Sequence, residues 1–146
     1  YQLSHFASKI DFLSIGTNDL IQYVMAVDRN NIRVKNLYSH FQPAVLEMLW
    51  QIATKSDKVK INLQVCGEMA SDPIAALLLV GMGYRELSMN IGSLAKVRRA
   101  ISKFSHTELE TLAQRERQLD SSSKVKDLLL QVIEERGLGG LVRAGN

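Results

Sequence analysis

Three short clusters in the sequence carry side chains capable of chemistry. They are Gly16-Thr17-Asn18-Asp19, Cys66-Gly67-Glu68 and Ser88-Met89-Asn90. Gly16 lets a backbone come close to a ligand, and the amides that follow would favour an anion. Asp19 offers a hard oxygen for Mg2+, which is held through one or two carboxylates plus substrate oxygens. The bland alternative is that Thr17, Asn18 or Asp19 simply caps a helix. Arg29, ten residues past Asp19, has the forked geometry that clamps a phosphate or carboxylate, although an arginine in a polar loop is more often solvated or surface-paired. Cys66 is the single cysteine. Its thiol suits a nucleophile, a general acid or a small buried core residue. No histidine adjoins it in sequence: His5, His40 and His106 lie in helix or loop contexts without metal-ligand spacing. Glu68 reads as an orienting group or as a carboxylate at a helix start.

The elements around these clusters are legible from pattern. Leu3 to Ile10 reads as a helix end, and Phe12 to Ile15 as a buried strand closed by Gly16. A helix is expected over Leu20 to Val27, then polar loop from Asp28 to Ser39. Pro43 opens a helix to about Lys55. Ile61 to Cys66 is the second strand; Asp72 and Pro73 start a helix over Ile74 to Met82; Glu86 to Met89 is the third strand. Ser93 opens a helix through Phe104. Two more helices follow, one near Thr107 with Glu110 placed for a capping box, the other from Ser122 to Arg136 with Gly137 as its stop. The glycine-rich tail from Gly137 to Asn146 is expected to be loosely ordered. Strands alternating with helices predict a parallel α/β sheet. The strands read as apolar without alternation, and three of them cannot close a barrel, so they require neighbouring strands. In such folds, chemistry gathers at the C-terminal strand ends, where all three clusters lie.

Bulk properties narrow the class. The chain has 146 residues, 46% hydrophobic and 23% charged, with formal net charge +3 and pI near 9.1. The charges are interspersed and no basic block alternates with aromatics, so nucleic acid is not implied. A lone cysteine suits a reducing, cytoplasmic setting. The longest apolar run, Ile74 to Val80, is too short to span a membrane. The sequence starts at Tyr1, inside a helical pattern, which is expected of a piece of a longer chain.

The stretch from Asp11 through Phe-Leu-Ser-Ile-Gly-Thr-Asn-Asp-Leu-Ile-Gln-Tyr-Val-Met-Ala-Val-Asp to Arg29 resembles the C-terminal signature of the phosphoenolpyruvate-utilising enzymes. Cys66-Gly-Glu-Met-Ala-Ser-Asp-Pro73 is similar to that family's cysteine-bearing strand end, and the segment Leu79 to Met89 to its next helix and eighth strand. Within the family, Val27-Asp28-Arg29-Asn30-Asn31, Ser88-Met89-Asn90 and Glu135 to Leu141 look most like enzyme I of bacterial phosphotransferase systems, in its nitrogen-related form. The sugar-transport form is the near alternative.

The resemblance implies a fold and a set of roles. Residues 1–146 would be the C-terminal portion of a phosphoenolpyruvate-binding TIM (β/α)8 barrel: 1–104 its last three βα units, 105–146 extra C-terminal helices and tail. Asp19 would bind Mg2+, Asn18 would hold the substrate phosphate, Arg29 would neutralise its charge, and Cys66 would protonate the enolpyruvate carbon. The phosphoryl group would pass through a histidine on another domain to a small phosphocarrier protein of the HPr or NPr type, in a homodimeric enzyme. The phosphohistidine domain, the earlier strands with their arginines and a second carboxylate ligand are outside this sequence, so the segment by itself is expected to be inactive. Two other readings stand beside this one: the C-terminal domain of pyruvate phosphate dikinase or phosphoenolpyruvate synthase, which act on ATP, and a non-catalytic dimerisation module.

Overall fold

A computed structural model of the chain describes residues 2–143. It is a mixed α/β fold built on a three-stranded parallel sheet in the order β1-β2-β3. The chain enters through α1 (Leu3–Phe6) and a 3-10 turn, Ala7–Lys9, and forms β1 (Phe12–Gly16). Next come α2 (Thr17–Met25), a long connection with one 3-10 turn at Lys35–Leu37, and α3 (Pro43–Val59). β2 (Asn62–Cys66) leads to the one-turn α4 (Glu68–Ser71) and to α5 (Pro73–Gly81). β3 (Glu86–Ser88) is followed by α6 (Ile91–Ile101), α7 (His106–Glu116), α8 (Ser122–Glu135) and α9 (Gly139–Arg143). In register, Gly16 sits beside Cys66 and Cys66 beside Ser88, so the three strand ends lie in one row.

The core lies on the helix side of the sheet. Ile15 and Val65 turn inward to meet Val45, Leu46 and Leu49 of α3 and the almost wholly apolar α5. α5 is buried on every side, from Ile74 to Leu79, as expected of a helix without a polar face. It approaches α7 closely at Gly81, where a Cβ would stand 2.2 Å from the Leu109 carbonyl oxygen. Tyr84 reaches from the turn before β3 into α3, its hydroxyl donating to the Leu49 carbonyl at 2.9 Å, and burial drives its pKa upward.

Several expectations are corrected. The strands are not buried on both faces. Residues alternate, with Phe12 58% exposed and Ser14, Asn62, Glu86 and Ser88 also exposed on the side away from the helices. The polar residues that mark this alternation interrupt runs that otherwise read as apolar. α2 starts three residues before Leu20, and its N-cap position is Gly16. α6 starts before Ser93, because the Asn90 side chain accepts from the Ser93 amide at 2.9 Å. The capping box is Ser105 with Glu108, not Thr107 with Glu110: the Ser105 hydroxyl accepts from the Glu108 amide and the Glu108 carboxylate from the Ser105 amide. α3 runs one turn beyond Lys55, to Val59, where Lys60 takes a left-handed cap. The tail is not wholly loose either: Leu138, just before α9, is buried, and Leu141 on α9 packs on the core. The last three positions of that expectation, 144–146, lie outside the described residues.

Candidate functional site

The row of strand ends opens into a cleft of about 580 Å³ lined by Asn18, His40, Cys66, Gly67, Glu68, Ser71, Asp72, Ser88, Met89 and Asn90. All three sequence clusters contribute to it. It is built by the transition from β1 to α2 and from β2 to α4. Gly16 ends β1 and takes the N-cap position without a side-chain cap, which leaves the polar residues of the first turn to bond elsewhere. Thr17 is buried and donates to the Cys66 carbonyl oxygen at 3.0 Å, tying one strand end to the next. Asn18 faces Glu68 reciprocally. Its amide nitrogen donates to the Glu68 carboxylate at 3.4 Å, and its carbonyl oxygen accepts from the Glu68 backbone amide at 3.3 Å. The simple cap reading of Thr17 to Asp19 is therefore not what the fold uses. Gly67 makes the close approach possible: its φ is +113°, and a Cβ there would lie 2.7 Å from the Thr17 hydroxyl.

Cys66 is half-buried on the open side of the sheet. Its thiol donates to the Ile15 carbonyl at 3.5 Å and receives a weak contact from the Ser14 hydroxyl at 3.8 Å. It is thus not a core cysteine under the sheet. His40 lines the same cleft, but its Nε2 is 3.1 Å from Asp72 Oδ2, so the ring is engaged with a carboxylate and not with the thiol. His106 pairs with Glu110 on the surface.

Asp19 and Arg29 are both exposed, and Gln22 links them. The Gln22 amide donates to Asp19 Oδ1 at 3.4 Å while its oxygen accepts from the Arg29 backbone amide at 3.1 Å. Tyr38 reports the shared neighbourhood. Burial pushes the phenol pKa up, the Glu68 and Asp19 charges add to this, and the Arg29 guanidinium opposes it. Tyr38 also donates to the Asn18 carbonyl at 3.4 Å. No spacing in the sequence marks Tyr38 or the His40–Asp72 pair. The first sits in a stretch that reads only as polar loop; the second joins residues 32 apart. Glu68, expected as an orienting group, does hold Asn18.

The hard oxygens available for a cation are the Asp19 and Glu68 carboxylates and the Asn18 carbonyl. Among the described residues there is no cluster of three or more His, Cys, Asp or Glu able to hold a metal. This donor set fits an ion that leaves most of its coordination to water and a phosphate, as Mg2+ does.

A parallel α/β fold with a polar cleft at its strand ends defines the broad class. Residues 1–106 match the family described as PEP-utilising enzyme, PEP-binding domain, and the chain belongs to that family. It is 44% identical over 145 residues to the phosphoenolpyruvate-dependent phosphotransferase system protein of Escherichia coli, covering 99% of this chain and 19% of that protein. It is 43% identical over 125 residues to the phosphoenolpyruvate-protein phosphotransferase of Borreliella burgdorferi, covering 86% of this chain and 22% of that protein. For the Staphylococcus carnosus phosphoenolpyruvate-protein phosphotransferase the identity is 44% over 124 residues, with 85% and 22% covered. The chain thus spans about a fifth of the length of the curated relatives it matches.

Proposed function

We propose that this chain forms part of the phosphoenolpyruvate site of a phosphoenolpyruvate-protein phosphotransferase. The observation that carries the reading is the Cys66 thiol on the open side of the sheet, in one cleft with Asn18 and Glu68. The names of the relatives support the same reaction. In the full-length protein, residues 1–104 would supply the last three βα units of a closed (β/α)8 barrel and residues 105–146 the helices packed behind them. The end of the family match at residue 106 supports that division.

Each side chain then has a chemical task. Asn18, fixed by Glu68, presents its amide to the phosphate. Arg29 neutralises charge on the phosphate or carboxylate, and Asp19 supplies a ligand for Mg2+. The bound ion would offset the phosphate charge as the phosphoryl group leaves. When the enol oxygen loses phosphorus to a histidine elsewhere in the protein, the methylene carbon of enolpyruvate takes the proton of the Cys66 thiol. The product is pyruvate, and the thiolate regains its proton from water. A protonated thiol donating to the Ile15 carbonyl suits a general acid. The phosphoryl group would pass onward to a small phosphocarrier protein, in the cytoplasm.

A homodimer is part of the reading. Ile91, at 91% exposure, and Leu94, at 54%, stand out on α6, and light scattering on the full-length protein tests the association. The reaction is tested by incubating the full-length protein with phosphoenolpyruvate, Mg2+ and a phosphocarrier protein. Pyruvate release matched by carrier phosphorylation is expected. Phosphorylation that instead requires ATP would overturn the assignment.

A further inference from the structure

Resting on that reading, we propose that the His40–Asp72 pair is a clasp holding the Arg29-bearing connection over the Cys66 strand end, which makes His40 a positioning residue for Arg29. The connection leaves α2 at Ala26, in the left-handed conformation, and rejoins regular structure at Pro43. It carries Arg29 and Tyr38. Its own hydrogen bonds order it internally: Asp28 Oδ1 accepts from the Asn30 amide at 2.9 Å, Asn31 Oδ1 from the Arg33 amide at 3.0 Å, and the Gln42 side chain donates to the Leu37 carbonyl at 3.3 Å. None of these fixes it to the sheet.

Its polar anchors to neighbouring elements run elsewhere. Gln22 of α2 takes the Arg29 amide, and the Tyr38 hydroxyl reaches the Asn18 carbonyl across a long 3.4 Å. The side of the cleft formed by β2 and its following helices is reached by His40, at 3.1 Å from Asp72. The Asp72 carboxylate is already aligned for this. Oδ1 accepts the Ile74 amide at 2.9 Å and caps α5, which leaves Oδ2 directed at the ring. The ring is steadied by an edge contact with Phe41, 4.2 Å between centroids, and Phe41 is itself buried. Both partners are mostly shielded from water, and both line the cleft that holds Cys66. Burial alone would favour a neutral Asp72, but the His40 contact and the amides of Ile74 and Ala75 outweigh it and keep the carboxylate ionised. The loop is tied at one end to α2 through Gln22 and at the other to the start of α5 through His40, and between these ties the Arg29 guanidinium meets the Tyr38 hydroxyl, which reaches the Asn18 carbonyl at the end of β1.

The test uses the full-length protein with His40→Ala and His40→Gln, read by amide hydrogen exchange and by steady-state kinetics in phosphoenolpyruvate. In His40→Ala, the amides of Asn31, Val34 and Leu37 exchange faster while those of α7 keep their protection. The value of kcat/KM for phosphoenolpyruvate falls by about 10- to 100-fold, mostly through KM. His40→Gln keeps a side-chain N–H donor for Asp72 and restores both readings. Unchanged loop protection, equal loss of protection in α7, or a glutamine variant that behaves as alanine would each overturn the clasp. A parent protein that takes no phosphoryl group from phosphoenolpyruvate would instead overturn the functional reading, and the exchange data still decide the clasp.

Discussion

The Thr17 hydroxyl is buried and donates a 3.0 Å hydrogen bond to the backbone carbonyl of Cys66, which couples the end of β1 to the residue that bears the thiol. Thr17→Val keeps the shape and removes the donor, leaving the part-buried Cys66 carbonyl without this partner. The expected cost is about 1–3 kcal/mol, read as a lower denaturation midpoint, and Thr17→Ser should recover most of it. Gly67→Ala attacks the same junction from the other side. It forces an L side chain into φ +113° and its methyl against the Thr17 hydroxyl. A loss of about 1–3 kcal/mol from the backbone conformation is expected, with more if Asn18 is displaced. Equal thermal stability of Gly67→Ala and parent would contradict this geometry.

Asp19 and Arg29 are joined through the single Gln22 side chain. Arg29→Lys retains the charge and loses the fork, so it should lower kcat/KM for phosphoenolpyruvate by about tenfold or more in the full-length protein. Asp19→Asn should raise the Mg2+ concentration needed for half-maximal activity, and a chelator should abolish activity in the parent. An Asp19→Asn enzyme with an unaltered Mg2+ requirement would remove Asp19 from the metal site.

Glu116 gives a pH dependence. Its carboxyl is buried with Oε2 lacking a hydrogen-bond partner, and burial pushes its pKa up to about 7. The Trp50 indole, whose N–H makes no formed hydrogen bond, and Arg117 lower it only in part, and Glu47 raises it further. The folded pKa lies above the ordinary carboxylate value, so the unfolded chain releases this proton first. The contribution of Glu116 to stability therefore falls as pH rises from about 4.5 to about 7 and then levels. Glu116→Gln should match the parent near the lower limit and melt higher at pH 8. A variant that melts lower than parent at pH 8 would refute this.

Asp72 behaves in the opposite sense. Its folded pKa is depressed, so its stabilisation is present above the ordinary aspartate value and is lost as pH falls through the folded one. Asp72→Asn retains a capping oxygen for Ile74, and its acid-unfolding limb below about pH 4 should be flatter than the parent's. Superimposable acid limbs would rule the pair out as a contributor.

Much of this was legible from residue pattern. The runs Phe12 to Ile15 before Gly16, Ile61 to Cys66 and Glu86 to Met89 marked the strands, the last of them one residue too long, and Asp72-Pro73 marked a helix start that the Ile74 hydrogen bond bears out. The differences arise where tertiary bonds override local propensity, or where two local pairs share the same spacing. Thr17 and Asn18 have capping chemistry, yet their side chains cross to Cys66 and Glu68 instead. Thr107 and Glu110 have capping-box spacing, but so do Ser105 and Glu108, and the latter pair forms the box. The tail's glycines suggested disorder, while Leu138 and Leu141 found apolar surface on which to form α9. Nothing local relates His40 to Asp72 or places Tyr38 beside Arg29, because those pairings exist only once the long connection folds back over the sheet.

Protonation of enolpyruvate by the Cys66 thiol is the step on which the proposed function turns. It is tested most directly by single-turnover pyruvate release from phosphoenolpyruvate in the full-length protein, comparing parent with Cys66→Ala while substrate binding is followed separately. Loss of a general acid should slow pyruvate release by about 100-fold or more and leave phosphoenolpyruvate binding intact. Pyruvate release at the parent rate in Cys66→Ala would contradict the assignment.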